Sequence, residues 1–222
     1  METRTHGERD IRHDQRFAMT ETRGAATRQQ ILEASRQVLL EGGFAGLSTR
    51  RIAELGGTQM SQIRYHFGSK EGLVLALFED MNAELLIRQE SLFSAPEVSV
   101  AERWDLACDY LEQDLESGYV RVLQELIAAG WADPSINSAV RRGLAGWNEL
   151  LCSLARDAEA QLGSLAPFTS EEFAALIAAS FLGAEAQILL GIPESDVPIR
   201  GALRRVGDLL RTLADSPTKT GA

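Results

Sequence analysis

Apolar residues recur along most of this chain at intervals of three and four, the spacing that turns one face of an α-helix toward a core. From Ala26 onward Ile31, Leu32, Ser35, Val38 and Leu39 form one such stripe, and Gly42-Gly43 before Phe44 supplies a stop. Ser48 or Thr49 then caps a short helix that ends near Leu55 with Ile52 and Ala53 inward, and Gly56-Gly57 turns the chain into a third short helix carrying Ile63. Three short helices in this order predict a helix-turn-helix. Ser69 opens a long helix through Leu73, Leu77, Met81 and Leu85, which at 1.5 Å per residue extends about 30 Å.

Further stripes follow: Trp104, Cys108, Leu111 and Leu115; Val122, Leu123, Leu126 and Ile127; Ile136, Val140, Leu144, Trp147, Leu151 and Leu154. A stripe of Phe173, Ile177, Phe181, Ala184 and Ile188 precedes a loop marked by Pro193 and Pro198. The last helix carries Ile199, Leu203, Val206, Leu210 and Leu213, stepping by four and three in alternation, as a seam against another helix does. No strand alternation or internal repeat competes, so the expected fold class is all-α.

Composition places these helices in an ordinary globular protein, with 45% hydrophobic and 24% charged residues. No run approaches the roughly 18 uninterrupted apolar residues of a membrane span, and the first 23 residues alternate charges, so a cytoplasmic protein with no membrane partner is expected. Residues 1–23 lack apolar periodicity and read as a mobile tail, with Met19 as an alternative start, and residues 216–222 read as a second tail. Cys108 and Cys152 lack CxxC or Cys/His spacing, which predicts reduced packing residues, no metal and no cofactor.

The net charge of −10 argues against nucleic acid until it is located along the chain. Residues 1–80 hold 11 Lys+Arg and 11 Asp+Glu, so the whole excess of acid falls on residues 81–222. Between Leu47 and Lys70 stand Arg50, Arg51, Arg64 and Lys70 against Glu54 alone, a local balance that suits a small DNA-facing surface. The asymmetry predicts two functions on one chain.

The segment Leu47 to Leu73, LSTRRIAELGGTQMSQIRYHFGSKEGL, resembles the DNA-binding region of the TetR family of bacterial regulators. The resemblance rests on Ser48-Thr49 before the first short helix, the Ile52-Ala53 pair, Gly57 in the turn, the Tyr65-His66-Phe67 cluster and the Ser69-Lys70-Glu71 opening of the fourth helix. It departs at Thr58, Gln59 and Ser61, and Arg64 stands where the family commonly has tyrosine, so the preferred base does not follow from the pattern. The resemblance implies a DNA-binding domain over 24–70 and a helical effector-binding and dimerisation domain over 71–215.

A recognition helix must bury one face and offer the other to a groove, and Ile63 and Phe67 serve the first need. Met60, Ser61, Gln62, Arg64 and Tyr65 serve the second, with an amide suited to adenine and a guanidinium suited to guanine or phosphate. Ser48 and Thr49 sit at a helix N-terminus that favours a phosphate, although simple capping accounts for them equally. Arg50 and Lys70 match the family's base- or phosphate-contacting positions, while His66 is open to either phosphate contact or packing.

The resemblance further implies that the last two long helices pair with their symmetry mates, for which Phe173, Ile177, Phe181, Ile188, Ile199, Leu203, Val206 and Leu210 are the candidates. Packing within one chain is equally compatible with these residues. Trp104, Cys108, Tyr110, Tyr119, Trp131 and Trp147 lie where the family holds its pocket, which would then favour a mostly apolar small effector. The expectation is a homodimeric, ligand-responsive repressor released from a palindromic double-stranded operator. One alternative keeps the DNA-binding dimer but gives its C-terminal half a protein partner or no ligand. A helical enzyme is the other, and the chain contains no HExxH, GxSxG, Walker or GxGxxG motif to support it.

Overall fold

The structure, a computed structural model, describes residues 7–93 and 98–215. Nine helices and no strand occur among the described residues, as the apolar periodicity requires. They are α1 (Gly7–Gly46), α2 (Thr49–Leu55), α3 (Met60–Phe67), α4 (Lys70–Phe93), α5 (Val100–Glu116), α6 (Tyr119–Gly130), α7 (Pro134–Leu162), α8 (Ser170–Leu189) and α9 (Ile199–Ala214). The chain divides into two units, Met1–Leu77 and Phe78–Ala222, so the division falls inside α4 and not at its start as expected.

In the first unit Ile31, Leu32, Val38 and Leu39 of α1 bury against Ile52 of α2, Ile63 of α3 and Leu73 and Leu77 of α4. The helix of α1 is interrupted at Gly43, whose φ of 62° is open to glycine at little steric cost. The Ser48 hydroxyl accepts from the Arg51 N–H at 3.2 Å and so caps α2. Between α2 and α3 the chain passes close to α1: a Cβ at Gly56 would lie 3.1 Å from the Ala34 Cβ and 3.1 Å from the Ile52 carbonyl.

One expectation is corrected here, because α1 begins at Gly7 and the assigned tail is helical from there to Arg23. No glycine or proline interrupts Glu8 to Arg23, so the backbone can continue the helix without an apolar stripe. Residues 1–6 and the expected C-terminal tail, 216–222, lie outside the described residues.

In the second unit α5, α7, α8 and α9 enclose a core of Trp104, Leu111, Leu151, Leu154, Ile177, Phe181, Leu203 and Leu210. Helix starts are set locally: Ser99 with Glu102 and Thr169 with Glu172 form capping boxes, and Asp133 caps α7 ahead of Pro134. Acids of α5 meet bases of α9, with Asp109 and Arg204 at 2.6 Å and Glu112 and Arg200 at 2.7 Å. By length and composition alone α8 could cross a membrane, but Ala174, Ile177, Phe181, Ala184 and Glu185 are buried inside this unit.

Candidate nucleic-acid interface

Helix α3 divides its residues by face. Ile63 is buried at 2% exposure, while Tyr65 is 81% and Met60 56% exposed, with Ser61, Gln62 and Arg64 beside them on the open side. Phe67, expected to be buried, is only half-buried, because its ring meets the Arg28 guanidinium of α1 at 5.4 Å in place of a closed apolar wall. Gly68, at φ 73°, ends α3, and the Ser69 hydroxyl accepts from the Gly72 N–H at 3.0 Å to start α4.

The remaining predicted residues surround this helix in different states. Ser48 is exposed and occupied as a cap, Thr49 is half-buried, and Arg50 is exposed but paired with Glu54 at 3.0 Å. An exposed pair of this kind is weak and can exchange for a phosphate. Lys70 is exposed at the first turn of α4, where the neighbouring Glu71 carboxyl is held below its usual range by its own backbone N–H and by Ser69. His66 is half-buried between the Tyr65 and Phe67 rings, at 5.0 and 6.1 Å, which favours a packing role over a free donor.

The sequence reading misses a groove in which Arg23, Thr27 and Gln30 of α1 face Thr58, Gln59, Gln62, Tyr65 and His66. Nothing in the spacing marks the α1 residues, because they lie on its polar face and meet α3 only through the fold. Their donors and acceptors extend the open face of α3 and form a polar concavity suited to a nucleic-acid backbone.

The second unit contains a cavity of about 560 Å³ counted to its open mouth, of which only about 40 Å³ takes the centre of a water molecule. Its walls are leucines of α4 to α7 and the rings of Tyr119, Trp147 and Phe181, and its polar groups are Gln89, Asp114 and Glu185. Of the six candidates Tyr119 and Trp147 stand in its wall, and the other four do not. Trp104 is buried and donates its Nε1 hydrogen to the Leu203 carbonyl. Cys108 is buried in the core, which pushes its thiol up to about 11. Tyr110 packs under the Arg88 guanidinium at 4.7 Å, and Trp131 is 82% exposed at the end of α6.

Residues 31–77 match the family model for bacterial regulatory proteins of the tetR family. The matched segment holds α2, α3 and the start of α4, the elements that present the polar face just described. Over residues 31–77 the chain is similar to the tetR family. Over 59 residues it is 41% identical to the HTH-type transcriptional repressor AcnR of Corynebacterium glutamicum, covering 27% of this chain and 31% of that protein. It thus spans about a third of the AcnR repressors it matches. The HTH-type transcriptional regulator UidR of Escherichia coli K12 is 25% identical over 153 residues, 66% of this chain and 73% of UidR. In fold the chain is similar to a transcriptional regulator of Saccharomonospora viridis solved in complex with choline, with a TM-score of 0.69 at 19% identity over 85% of this chain and 96% of that one.

The candidate dimer residues need the largest revision. Ile177, Phe181, Leu203 and Leu210 are each no more than 7% exposed, and Phe173, Ile188, Ile199 and Val206 pack against the same core. They face their own chain because α5 and α7 already supply the seam that their spacing requires. The faces left open carry other residues: Ala202, Leu209 and Leu213 on α9, with Val206 at their edge, and Leu176, Ala179 and Gly183 on α8, with Leu190 just past its end.

Proposed function

We propose that this protein is a homodimeric transcriptional repressor that binds a palindromic DNA operator through α3 and leaves it when a small molecule fills the second unit. The observation that carries the reading is the division of α3 between a buried Ile63 and an exposed row of Met60, Ser61, Gln62, Arg64 and Tyr65. A row of this kind costs conformational freedom and stabilises nothing within the chain, whereas in a major groove it supplies an amide, a hydroxyl and a guanidinium to base edges. Arg50 and Lys70 would hold phosphates on either side, and Ser48 and Thr49 would offer a helix N-terminus to another.

A palindromic operator needs a two-fold protein, and the open α8 and α9 faces support that symmetry. Ala202, Val206, Leu209 and Leu213 step by four, three and four, and Gly183 has open space where a side chain would stand, so a partner helix could approach its backbone closely. Each copy would supply two helices to a four-helix seam. A protein that reads the chromosome acts in the cytoplasm, and nothing in this role calls for catalysis.

The cavity supports a ligand-responsive second unit over a dimer that only positions its reading heads, because a filled interior would have left no space beside Tyr119 and Trp147. Its narrowness requires side chains to move on binding, and α4 runs continuously from Lys70 to Phe93, with Gln89 at the cavity and Lys70 near the DNA-facing residues. A shift of α4 would alter the spacing of two heads that must sit about 34–36 Å apart. The effector then has to bind the DNA-free state more tightly, by the coupling between sites.

Selection of bound duplexes from a random pool, followed by footprinting, tests the reading. Two related half-sites on one face of the DNA, about one helical turn or a multiple apart, are expected. Recovery of no common sequence contradicts it.

A further inference from the structure

The polar groups that line the cavity share one chemical character. Glu185 is 7% exposed and accepts from the Gln124 amide at 2.9 Å, and among the described residues it forms no ion pair. Asp114 is also 7% exposed, but its charge is answered by the Arg88 guanidinium. Gln89 is 6% exposed, and its Oε1 has no hydrogen-bond partner. The Tyr119 hydroxyl spends its hydrogen on the Asn82 Oδ1 at 2.8 Å, which leaves its oxygen lone pairs to the interior.

A buried carbonyl oxygen without a donor costs about 1–3 kcal/mol, and a carboxylate without a counter-charge costs more. Such groups persist where a ligand completes them. What they lack in common is a donor, and in the case of Glu185 a positive charge. The Trp147 and Phe181 rings, 6.2 Å apart and nearly perpendicular, present π surface to the same space, which attracts a cation as well as apolar carbon.

We propose that the cavity binds a small protonated amine with an apolar body, its ammonium between Glu185 and the Gln89 Oε1 and its body against Trp147 and Phe181. The inference rests on the reading of the second unit as a sensor and assigns its ligand class. Glu185 supplies the charge and Gln89 the direction, while the leucine walls exclude a heavily hydrated cation. An anionic ligand is disfavoured, because it would bring a negative charge against two buried carboxyl groups whose own desolvation is incompletely offset. Burial raises the Glu185 carboxyl to about 7, and an ammonium beside it would hold it ionised.

The full-length protein is titrated with 2-phenylethylammonium, and with 2-phenylethanol and 3-phenylpropanoate as neutral and anionic probes of similar size. Binding is followed by calorimetry and by tryptophan fluorescence. The ammonium is expected to bind at least about tenfold more tightly than the alcohol, with the carboxylate weakest. Glu185→Gln, which keeps the side-chain shape and an acceptor for Gln124, should remove that preference, weakening the ammonium far more than the alcohol. Gln89→Met should weaken the ammonium several-fold with smaller effect on the alcohol.

Equal binding of alcohol and ammonium, or a preference that survives Glu185→Gln, overturns the ligand class while leaving a cavity that binds small molecules. Binding of none of the three probes overturns the ligand class and removes the cavity's support for a sensor. If the ammonium binds with the expected selectivity yet leaves operator affinity unchanged, the site is upheld and the release reading fails.

Discussion

The Trp104 indole donates its Nε1 hydrogen to the Leu203 carbonyl at 2.6 Å, tying α9 to α5 beside a side chain whose heptad spacing points to a partner. Leu203 is 6% exposed and Leu209 56%, so only the first of these two leucines of one helix is committed to the chain's own core. Leu203→Ala is expected to lower stability by about 2–4 kcal/mol through transfer and cavity terms, measured at fixed protomer concentration. Leu209→Glu should instead dissociate the dimer and retain helical content. Light scattering with circular dichroism checks the pair, and a Leu209→Glu variant that stays dimeric would rule out the α9 face.

Glu185 makes stability depend on pH in a defined direction. Its carboxyl lies near 7 in the folded chain, raised chiefly by burial, against an ordinary value of 4.5. Between those values the folded state holds more protons than the unfolded one, so stability contributed by this group is full below about pH 4.5 and is lost as pH rises through 7. Glu185→Gln removes the ionisation and is expected to match the native protein near pH 5. By pH 8 it should be more stable, by an amount on the order of 3 kcal/mol at most. Denaturant melts at the two pH values check the sign, and equal stabilities at pH 8 would contradict it.

Gly143 of α7 has no room for a side chain. A Cβ there would lie 2.8 Å from the Phe78 Cζ, and the Phe78 ring stacks on Tyr119 with centroids 6.0 Å apart, which limits its retreat. Gly143→Ala should therefore destabilise by about 1–3 kcal/mol despite the better helix propensity of alanine. Gly183→Ala is a contrasting probe, because open space surrounds that position within the chain. It should be neutral or stabilising in the fold while weakening dimerisation. Thermal melts together with sedimentation separate the two effects.

Ser48 caps α2, and the phosphate contact proposed for it is separated from the cap by substitution. Ser48→Ala removes the acceptor for the Arg51 N–H and is expected to cost about 1 kcal/mol of stability, with weaker operator binding. Ser48→Asp retains the cap but sets a negative charge against the phosphates, so stability should hold while affinity falls at least about tenfold. Equal affinity for Ser48→Asp and the native protein would remove Ser48 from the interface.

The reading head was legible because local signals determine it: Gly56-Gly57 can be followed only by a turn, Ser48 and Ser69 begin helices, and Ile63 is the buried point of a short polar helix. The open face of α9 was not, because spacing by four and three describes any helix packed on another. It does not say whether the other helix belongs to the same chain, so Leu203 and Leu210 were chosen where Ala202, Leu209 and Leu213 are open. The cavity was partly legible, through Tyr119 and Trp147. Gln89 and Glu185 gave no signal, since a polar residue on a helical stripe reads as solvated until the fold buries it. The helix from Gly7 to Arg23 was missed because its sequence has no apolar stripe to announce it.

The central claim is that α3 and its flanking cations read DNA, and a fluorescence-anisotropy titration against the gene's own upstream region at several salt concentrations tests it most directly. Beside the native protein stands an Arg64→Ala, Lys70→Ala double variant, both positions exposed. The account predicts binding well above random duplex with a steep salt dependence. In the variant, affinity should fall at least about tenfold and the slope should drop by about 0.9 for each phosphate contact removed. Affinity no greater than for random DNA, or a variant that binds as the native protein does with the same slope, would contradict it.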